Sequence, residues 1–339
     1  MATFNASEIN LHTASKNEYN GHLGARISSI FVILFVSTAF TFFPVVAKDL
    51  PSWKIPHSVY IFAGYFGTGV ILATAFVHLL DPAYKRIGPK TCVGVSGHWG
   101  EYSWCAAIVL VSVVAIFLLD LAAEVYVERK YGIERDETAT NAFITNGPEP
   151  QNMDAPENGT KEPSLHHSID PTTASARSFD QQIAAFLILE FGIIFHSVII
   201  GLNLGVTGSE FATLYPVLVF HQSFEGLGIG ARLSAIPFAE HKILPYMLCL
   251  AYGLTTPISI AIGLGLRTTY NPQSKESLII QGVFNAVSAG VLIYSALVEL
   301  LARDFLFDPD RTRKRARLVY MVFCVLLGAG IMALIGKWA

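Results

Sequence analysis

His196-Ser-Val-Ile-Ile-Gly-Leu-Asn-Leu-Gly205 and His221-Gln-Ser-Phe-Glu-Gly-Leu-Gly-Ile-Gly230 are two copies of one pattern, H-x-x-x-x-G-L-x-[LI]-G. Each copy lies in a mostly apolar stretch, Gln182–Val206 and Phe211–Leu233. The turn between the stretches falls near Gly208-Ser-Glu210, so each histidine stands about three helical turns from it. At ~1.5 Å per residue both imidazoles sit roughly 15–20 Å deep, close to the midplane of a hydrocarbon core about 30 Å thick. Antiparallel copies of one motif imply a pseudo-two-fold axis in the membrane plane, a signature of many secondary transporters. Gly201 with Gly205, and Gly226 with Gly230, add the small-residue spacing that lets helices approach closely.

Composition supports a membrane setting. Hydrophobic residues make up 52% of the 339 and charged residues 14%, where a soluble domain carries about 25% charged. A formal net charge of -3 gives no basic field for nucleic acid, which is not expected as a partner. Six further stretches are long and apolar enough to span: His22–Val46, Pro56–Leu80, Trp104–Tyr126, Ile243–Leu266, Leu278–Leu301 and Arg317–Trp338. Helices are the default, because open sheet edges are not tolerated in hydrocarbon. The expected fold is therefore all-α, a polytopic membrane protein with eight transmembrane helices.

The expected organisation runs in five parts. Residues 1–21 form an N-terminal tail, too polar and too long for the charged start of a cleaved signal peptide. Residues 22–127 hold helices one to three. Residues 128–181 form a polar loop, rich in Pro, Asn and Ser, that reads as disordered. Residues 182–234 hold helices four and five, and 235–339 helices six to eight with a short C-terminus. Of the 23 Lys and Arg residues, fifteen fall on the side of the loops after helices one, three, five and seven, and eight on the other. The run Arg311-Thr-Arg-Lys-Arg-Ala-Arg317 carries much of that bias, which places this side in the cytosol and both termini outside. Of two glycosylation sequons, Asn5-Ala-Ser7 and Asn158-Gly-Thr160, only Asn5 is then accessible to glycosylation.

The chemistry concentrates at the midplane. His221 and Glu225 share a helix face, as do Gln222 and Glu225. His196 and Ser197 come from the facing helix. Ionisable groups at this depth are costly and point to function. Imidazole nitrogen with carboxylate oxygen suits zinc and other first-row divalent ions, and a set without thiolate suits an ion that must be released. A single buried histidine is more simply an interhelical hydrogen bond. Two at matched depth, with Glu225 one turn away, favour metal. His78 and Asp81 on helix two, Asp120 on helix three, Glu190 on helix four and Glu299 on helix seven can serve a cation pathway or pair locally. Pro257, after Thr255-Thr256, frees a carbonyl in helix six that either faces a cavity or belongs to a kink.

Other readings are narrowed. Cys92, Cys105, Cys249 and Cys324 form no C-x-x-C pair, which argues against a thiolate zinc site. Cys92 and Cys105 flank one short loop and are free to pair if that loop is extracytosolic. His166-His167 lies in the polar loop, where both a metal role and a plain polar role stay open. No P-loop and no H-E-x-x-H string occurs, which argues against direct ATP hydrolysis and against a membrane zinc protease. A bis-His haem does not need Glu225. An integral membrane hydrolase holding a permanent zinc, with Glu225 as general base, remains the alternative from another class.

At these residues the sequence resembles the ZIP family of zinc and iron transporters, most of all the plasma-membrane zinc permeases of fungi. The strings that carry the resemblance are Gly69-Val-Ile-Leu-Ala-Thr-Ala-Phe-Val-His78, Glu190-Phe-Gly-Ile-Ile-Phe-His-Ser-Val-Ile-Ile-Gly201 and His221-Gln-Ser-Phe-Glu-Gly226. Thr255-Thr-Pro-Ile-Ser-Ile-Ala-Ile-Gly263 and Asn285-Ala-Val-Ser-Ala-Gly290 also match. The resemblance implies import of zinc into the cytosol across the plasma membrane, with the ion as substrate and no cofactor. It implies that helices one to three and six to eight are inverted repeats around four and five. It further implies elevator-like alternating access by a unit of helices one, four, five and six. Carried onto this sequence, the family's metal ligands are His196, His221 and Glu225, with Ser197 and Gln222 as weaker oxygen contacts. Some members place an acidic residue where this chain has Ile200, so one transported ion is expected rather than a bridged pair. The polar loop also lacks the dense histidine repeats common in the family. The sequence does not rank Zn²⁺ against Fe²⁺, Mn²⁺ or Cd²⁺, and it leaves a homodimer open.

Overall fold

The computed structural model describes residues 21–50, 55–95, 97–131, 171–238, 241–307, 312 and 314–337. Asn5, Asn158, His166 and His167 lie outside the described residues, as does most of the expected loop at 128–181. Among the described residues the fold is all-helical. Its eight long helices are α1 (Leu23–Asp49), α2 (His57–Ile87), α3 (Trp104–Tyr131), α4 (Pro171–Val206), α5 (Phe211–Ala235), α6 (Leu244–Gly265), α7 (Lys275–Phe307) and α8 (Arg315–Ile335). Seven of them are long and apolar enough to cross a membrane. The other is α5, where His221, Gln222, Glu225, Arg232 and three glycines dilute the apolar surface. This helix is instead buried along much of its length by its neighbours.

The helix ends differ from the expected bounds in one place and close an open alternative in another. The polar loop is shorter than 128–181, because α3 runs to Tyr131 and α4 starts at Pro171, a residue whose fixed φ suits a first helical turn. Polar contacts hold these extensions together. Lys130 pairs with Asp180 at 2.6 Å, and the Gln181 amide donates to Glu124 at 2.8 Å. Cys92 and Cys105 are not bonded: Cys92 is exposed, while Cys105 packs in a core with Val93, Ile87 and Ala286.

The helices pack as matched pairs. Helix α1 lies against α5 and α6, and α4 lies against α6. Helix α2 lies against α8 and α5, and α7 against α3 and α4. Glycine sets the closest approaches, and it does so between partners other than the two motif helices. On α4, a methyl group at Gly201 would meet the Ser259 side chain at 2.7 Å, and one at Gly205 would meet the Leu264 nitrogen at 2.7 Å, both on α6. On α5, Gly226 faces Thr41 Oγ1 at 2.7 Å, and Gly230 lies directly on the Thr41 carbonyl of α1.

Polar atoms seal the same seams. Pro257 lies inside a continuous α6 and removes the amide that would bond the Gly253 carbonyl. Ser37 Oγ of α1 stands 3.1 Å from that oxygen, so the freed carbonyl faces α1 rather than a cavity. Arg26 at the start of α1 is fully buried. Its guanidinium donates to the carbonyls of Leu204, Gly205 and Thr207, the unpaired oxygens at the C-terminus of α4. At the other end of α1, Lys48 Nζ donates to the Ser234 carbonyl of α5 at 2.5 Å.

Two helices contain π-helical turns, Thr74–Leu80 within α2 and Ser295–Phe307 within α7. Each such turn adds a residue and changes which side chains share a face, and such turns are common at functional sites. His78 lies in the first and Glu299 in the second.

The glycine seams generate a direct test. Gly230→Val places a branched side chain against the backbone of α1, and overpacking of this kind costs about 1–3 kcal/mol or more. Gly265, at the end of α6, has nothing within 4 Å of the same position. Thermal unfolding of the purified protein in detergent is expected to show a clearly lowered Tm for Gly230→Val and little change for Gly265→Ala.

Candidate metal site

Helices α4 and α5 are joined by a turn of four residues, Thr207 to Glu210. This short connection fixes them antiparallel and brings the two motif histidines to one level. Their Nε2 atoms are 3.2 Å apart. One turn along α5, Glu225 Oε2 lies 3.6 Å from His221 Nε2. One ligand atom from each of His196, His221 and Glu225 falls within 4.8 Å of the others, and all three residues are buried. Two nitrogens bound at about 2.0–2.1 Å to a tetrahedral ion stand ~3.3 Å apart. The observed imidazole spacing matches that separation, so the three residues can hold a zinc-sized ion without moving far.

The surroundings leave oxygens in need of a cation. Glu225 has no exposure; Tyr252 of α6 donates to its Oε2 at 3.3 Å, while its Oε1 has no partner. Gln222 donates its amide to Thr256 Oγ1 at 2.7 Å, leaving Oε1 unpaired. Ser197 Oγ is buried and unpaired as well. Unmatched buried oxygen is costly in protein interiors, and an ion bound here removes that cost.

The remaining expected residues divide. His78 of α2 joins the cluster: its ring meets that of His221 edge-on, with centroids 4.9 Å apart. Its Nε2 is 3.2 Å from the Met332 carbonyl of α8. A carbonyl only accepts, so Nε2 carries the proton and Nδ1 keeps its lone pair, the arrangement seen for metal-binding histidines held by an outer contact. Asp81 is exposed and pairs with Lys85 at 2.7 Å. It lines a cavity of about 420 Å³ whose wall includes His78, His196, Asn203, Glu210 and Asn285. Glu190 is buried in α4 with both oxygens unpaired, one and a half turns from His196. Asp120 accepts a hydrogen bond from Tyr294 at 2.8 Å, and Glu299 pairs with Arg303 at 2.8 Å. Both therefore have local partners, and neither lines the cavity that reaches His196.

That cavity opens beside the α4–α5 turn, at the face where α1 begins. A second cavity, of about 790 Å³, lies at the opposite ends of the helices and includes none of His196, His221 and Glu225 in its wall. The backbones of Gly67 on α2 and Gly228 on α5 touch between it and the cluster. Of these two cavities, the smaller one reaches the cluster, through His196.

A family model described as ZIP zinc transporter matches residues 23–336, which is nearly the whole described chain. The chain belongs to the ZIP zinc transporter family. It is 57% identical over 336 residues to the zinc-regulated transporter 1 of Saccharomyces cerevisiae, covering 95% of this chain and 89% of that protein. The zinc-regulated transporter 1 of Schizosaccharomyces pombe is 41% identical, over 95% of this chain and 88% of its own length. Zinc-regulated transporter 2 of Saccharomyces cerevisiae is 34% identical, with 96% of each chain covered.

Within this ZIP chain several site residues escaped the sequence reading. Tyr252 and Thr256 stand one turn apart on α6 and hold Glu225 and Gln222. Their spacing was visible, but nothing in it pointed at α5. Arg26, four residues into the first apolar stretch, is an internal clamp on α4. Asn203 donates to Gln281 Oε1 at 3.1 Å, bridging α4 and α7 across the smaller cavity. Tyr252→Phe keeps the packing and removes the hydroxyl that orients Glu225. Outer contacts of this kind are worth about 10–100-fold in metal affinity. Competition with a chromophoric chelator on purified protein is expected to show zinc binding weakened within that range, and unchanged affinity would remove Tyr252 from the site.

Proposed function

We propose that this ZIP chain is a zinc transporter that carries Zn²⁺ into the cytosol across the plasma membrane. The observation that supports this most is the convergence of His196, His221 and Glu225 at a buried point reached from one face. In this reading those three side chains bind the ion directly. Ser197 and Gln222 add oxygen contacts, and His78 receives the ion between the outer cavity and the cluster. Zinc is the substrate, and the set lacks thiolate, so the ion remains exchangeable. Fe²⁺, Mn²⁺ and Cd²⁺ are chemically admissible competitors for the same donors. Membership of a transporter family favours a transported ion over the permanent catalytic zinc of a hydrolase.

Alternating access follows from exposure on one side at a time. The cavity at His196 is the outward path, and the opposite cavity, sealed by the Gly67 and Gly228 contact, is the inward one. The charge bias of the loops sets that orientation, with both termini outside and α5 as the eighth span. A glycan on Asn158 would contradict it.

The helix pairings support inverted repeats of α1–α3 and α6–α8 around α4 and α5. Exchanging α1 with α6, α2 with α7, α3 with α8 and α4 with α5 turns the α1–α5 contact into α6–α4, and α2–α8 into α7–α3. The π-helical turns of α2 and α7 exchange too. Helices α1, α4, α5 and α6 are joined by the glycine seams and form the unit that moves against α2, α3, α7 and α8.

The test is uptake of radiolabelled zinc by cells lacking their own importers, comparing the wild type with His221→Ala at equal surface abundance. Saturable wild-type uptake that falls to background in the variant is expected. Equal uptake by the two proteins would remove the cluster from the path.

A further inference from the structure

The larger cavity carries a charge that its place in a cation transporter does not explain. It lies between the ends of α1, α2, α5, α7 and α8 and measures about 790 Å³, within the range of small-molecule sites. Lys48, Arg232 and Arg317 line it, together with His57. Among the described residues Asp304 is the one acidic side chain in its wall, 3.9 Å from Arg232. That pair offsets itself. Lys48 and Arg317 do not, because their hydrogen-bond acceptors are neutral: the Ser234 carbonyl at 2.5 Å and the His57 imidazole at 2.9 Å.

Two exposed cations at one concave wall, without an acidic partner among the described residues, raise a positive potential over it. Such a field attracts an anion. The sequence adds to it, since Arg317 closes the run Arg311-Thr-Arg-Lys-Arg-Ala-Arg317 at the start of α8. Basic clusters at this position in a spanning helix attract phosphorylated headgroups. A guanidinium fork and an ammonium across one cavity are also the usual donors to phosphate oxygens.

We propose that this cavity is a binding site for a phosphorylated anion, separate from the metal cluster. The phosphate comes either from a phosphoinositide headgroup of the adjoining leaflet or from free phosphate in solution. Binding does not depend on the direction of zinc transport, so the two proposals fail separately.

The experiment is calorimetric titration of the purified full-length chain in neutral detergent with inositol trisphosphate and, separately, with inorganic phosphate. Saturable binding of inositol trisphosphate alone assigns the site to a headgroup. Comparable binding of both assigns it to free phosphate. Charge-assisted contacts are worth about tenfold each in affinity, so Lys48→Gln with Arg317→Gln is expected to weaken binding by at least that factor. Ala235→Glu, at an exposed position in the cavity wall, adds a negative charge without removing a native contact and is expected to weaken binding similarly. Zinc binding at the cluster, measured on the same samples, reports whether each variant is folded, and Ala235→Glu carries the test if the double variant is not. Absence of saturable binding by the wild type, or undiminished binding by a folded variant, overturns the proposal.

Discussion

A carboxylate without solvent exposure, held beside two imidazoles between membrane helices, is costly to bury unless a cation shares the space. Glu225 is in that position, and much of the molecule can be read as the means of keeping it there. The four-residue turn fixes α4 against α5. From α6 the Tyr252 hydroxyl donates to Glu225 and the Thr256 hydroxyl accepts from the Gln222 amide. The remaining lone pairs of Glu225, Gln222 and Ser197 stay unmatched. A site with every acceptor satisfied by protein would be stable and inert. One with several acceptors left over gains from an ion and is poised to take one.

Close helix contact makes this arrangement possible. Glycines on α4 and α5 put backbone against backbone with α6 and α1, and few side chains intervene. Helices joined in this way move together or not at all. The contact of Gly67 with Gly228 is different, because it lies on the seam between α2 and α5, beside the larger cavity that Gly228 lines. A seam of two glycines has little side-chain interdigitation to undo, as the proposed alternating access requires. The π-helical turn of α2 serves the same region by presenting His78 to the cluster while α2 continues past it along the smaller cavity.

The fold class was legible because an apolar run of helical length has one physical solution in hydrocarbon. The convergence of the two motif histidines was legible because the motifs repeat at matched depth around the turn, and depth follows from rise per residue alone. Helix partners were not legible: the glycine spacing says that something packs closely and does not say what. The π-helical turns left no signal either, because an added residue in a turn depends on contacts with other helices. The partner of Arg26 was not legible for a related reason. A charge near the end of an apolar stretch looks like an interfacial anchor until the C-terminus of α4, with its unpaired carbonyls, is seen beside it. The loop boundary lies elsewhere because α3 and α4 both extend past the apolar stretches, where Lys130 and Glu124 reach Asp180 and Gln181.

The central claim is that zinc is held by the two motif imidazoles and the α5 carboxylate. X-ray absorption at the zinc edge, recorded on zinc-loaded purified protein, reads those ligands directly. The account predicts a nitrogen and oxygen shell at about 2.0–2.1 Å with the multiple scattering of two or more imidazoles, and loss of one imidazole in His196→Ala. A sulfur shell near ~2.3 Å, or an imidazole count that does not change in that variant, would place the ion elsewhere and contradict it.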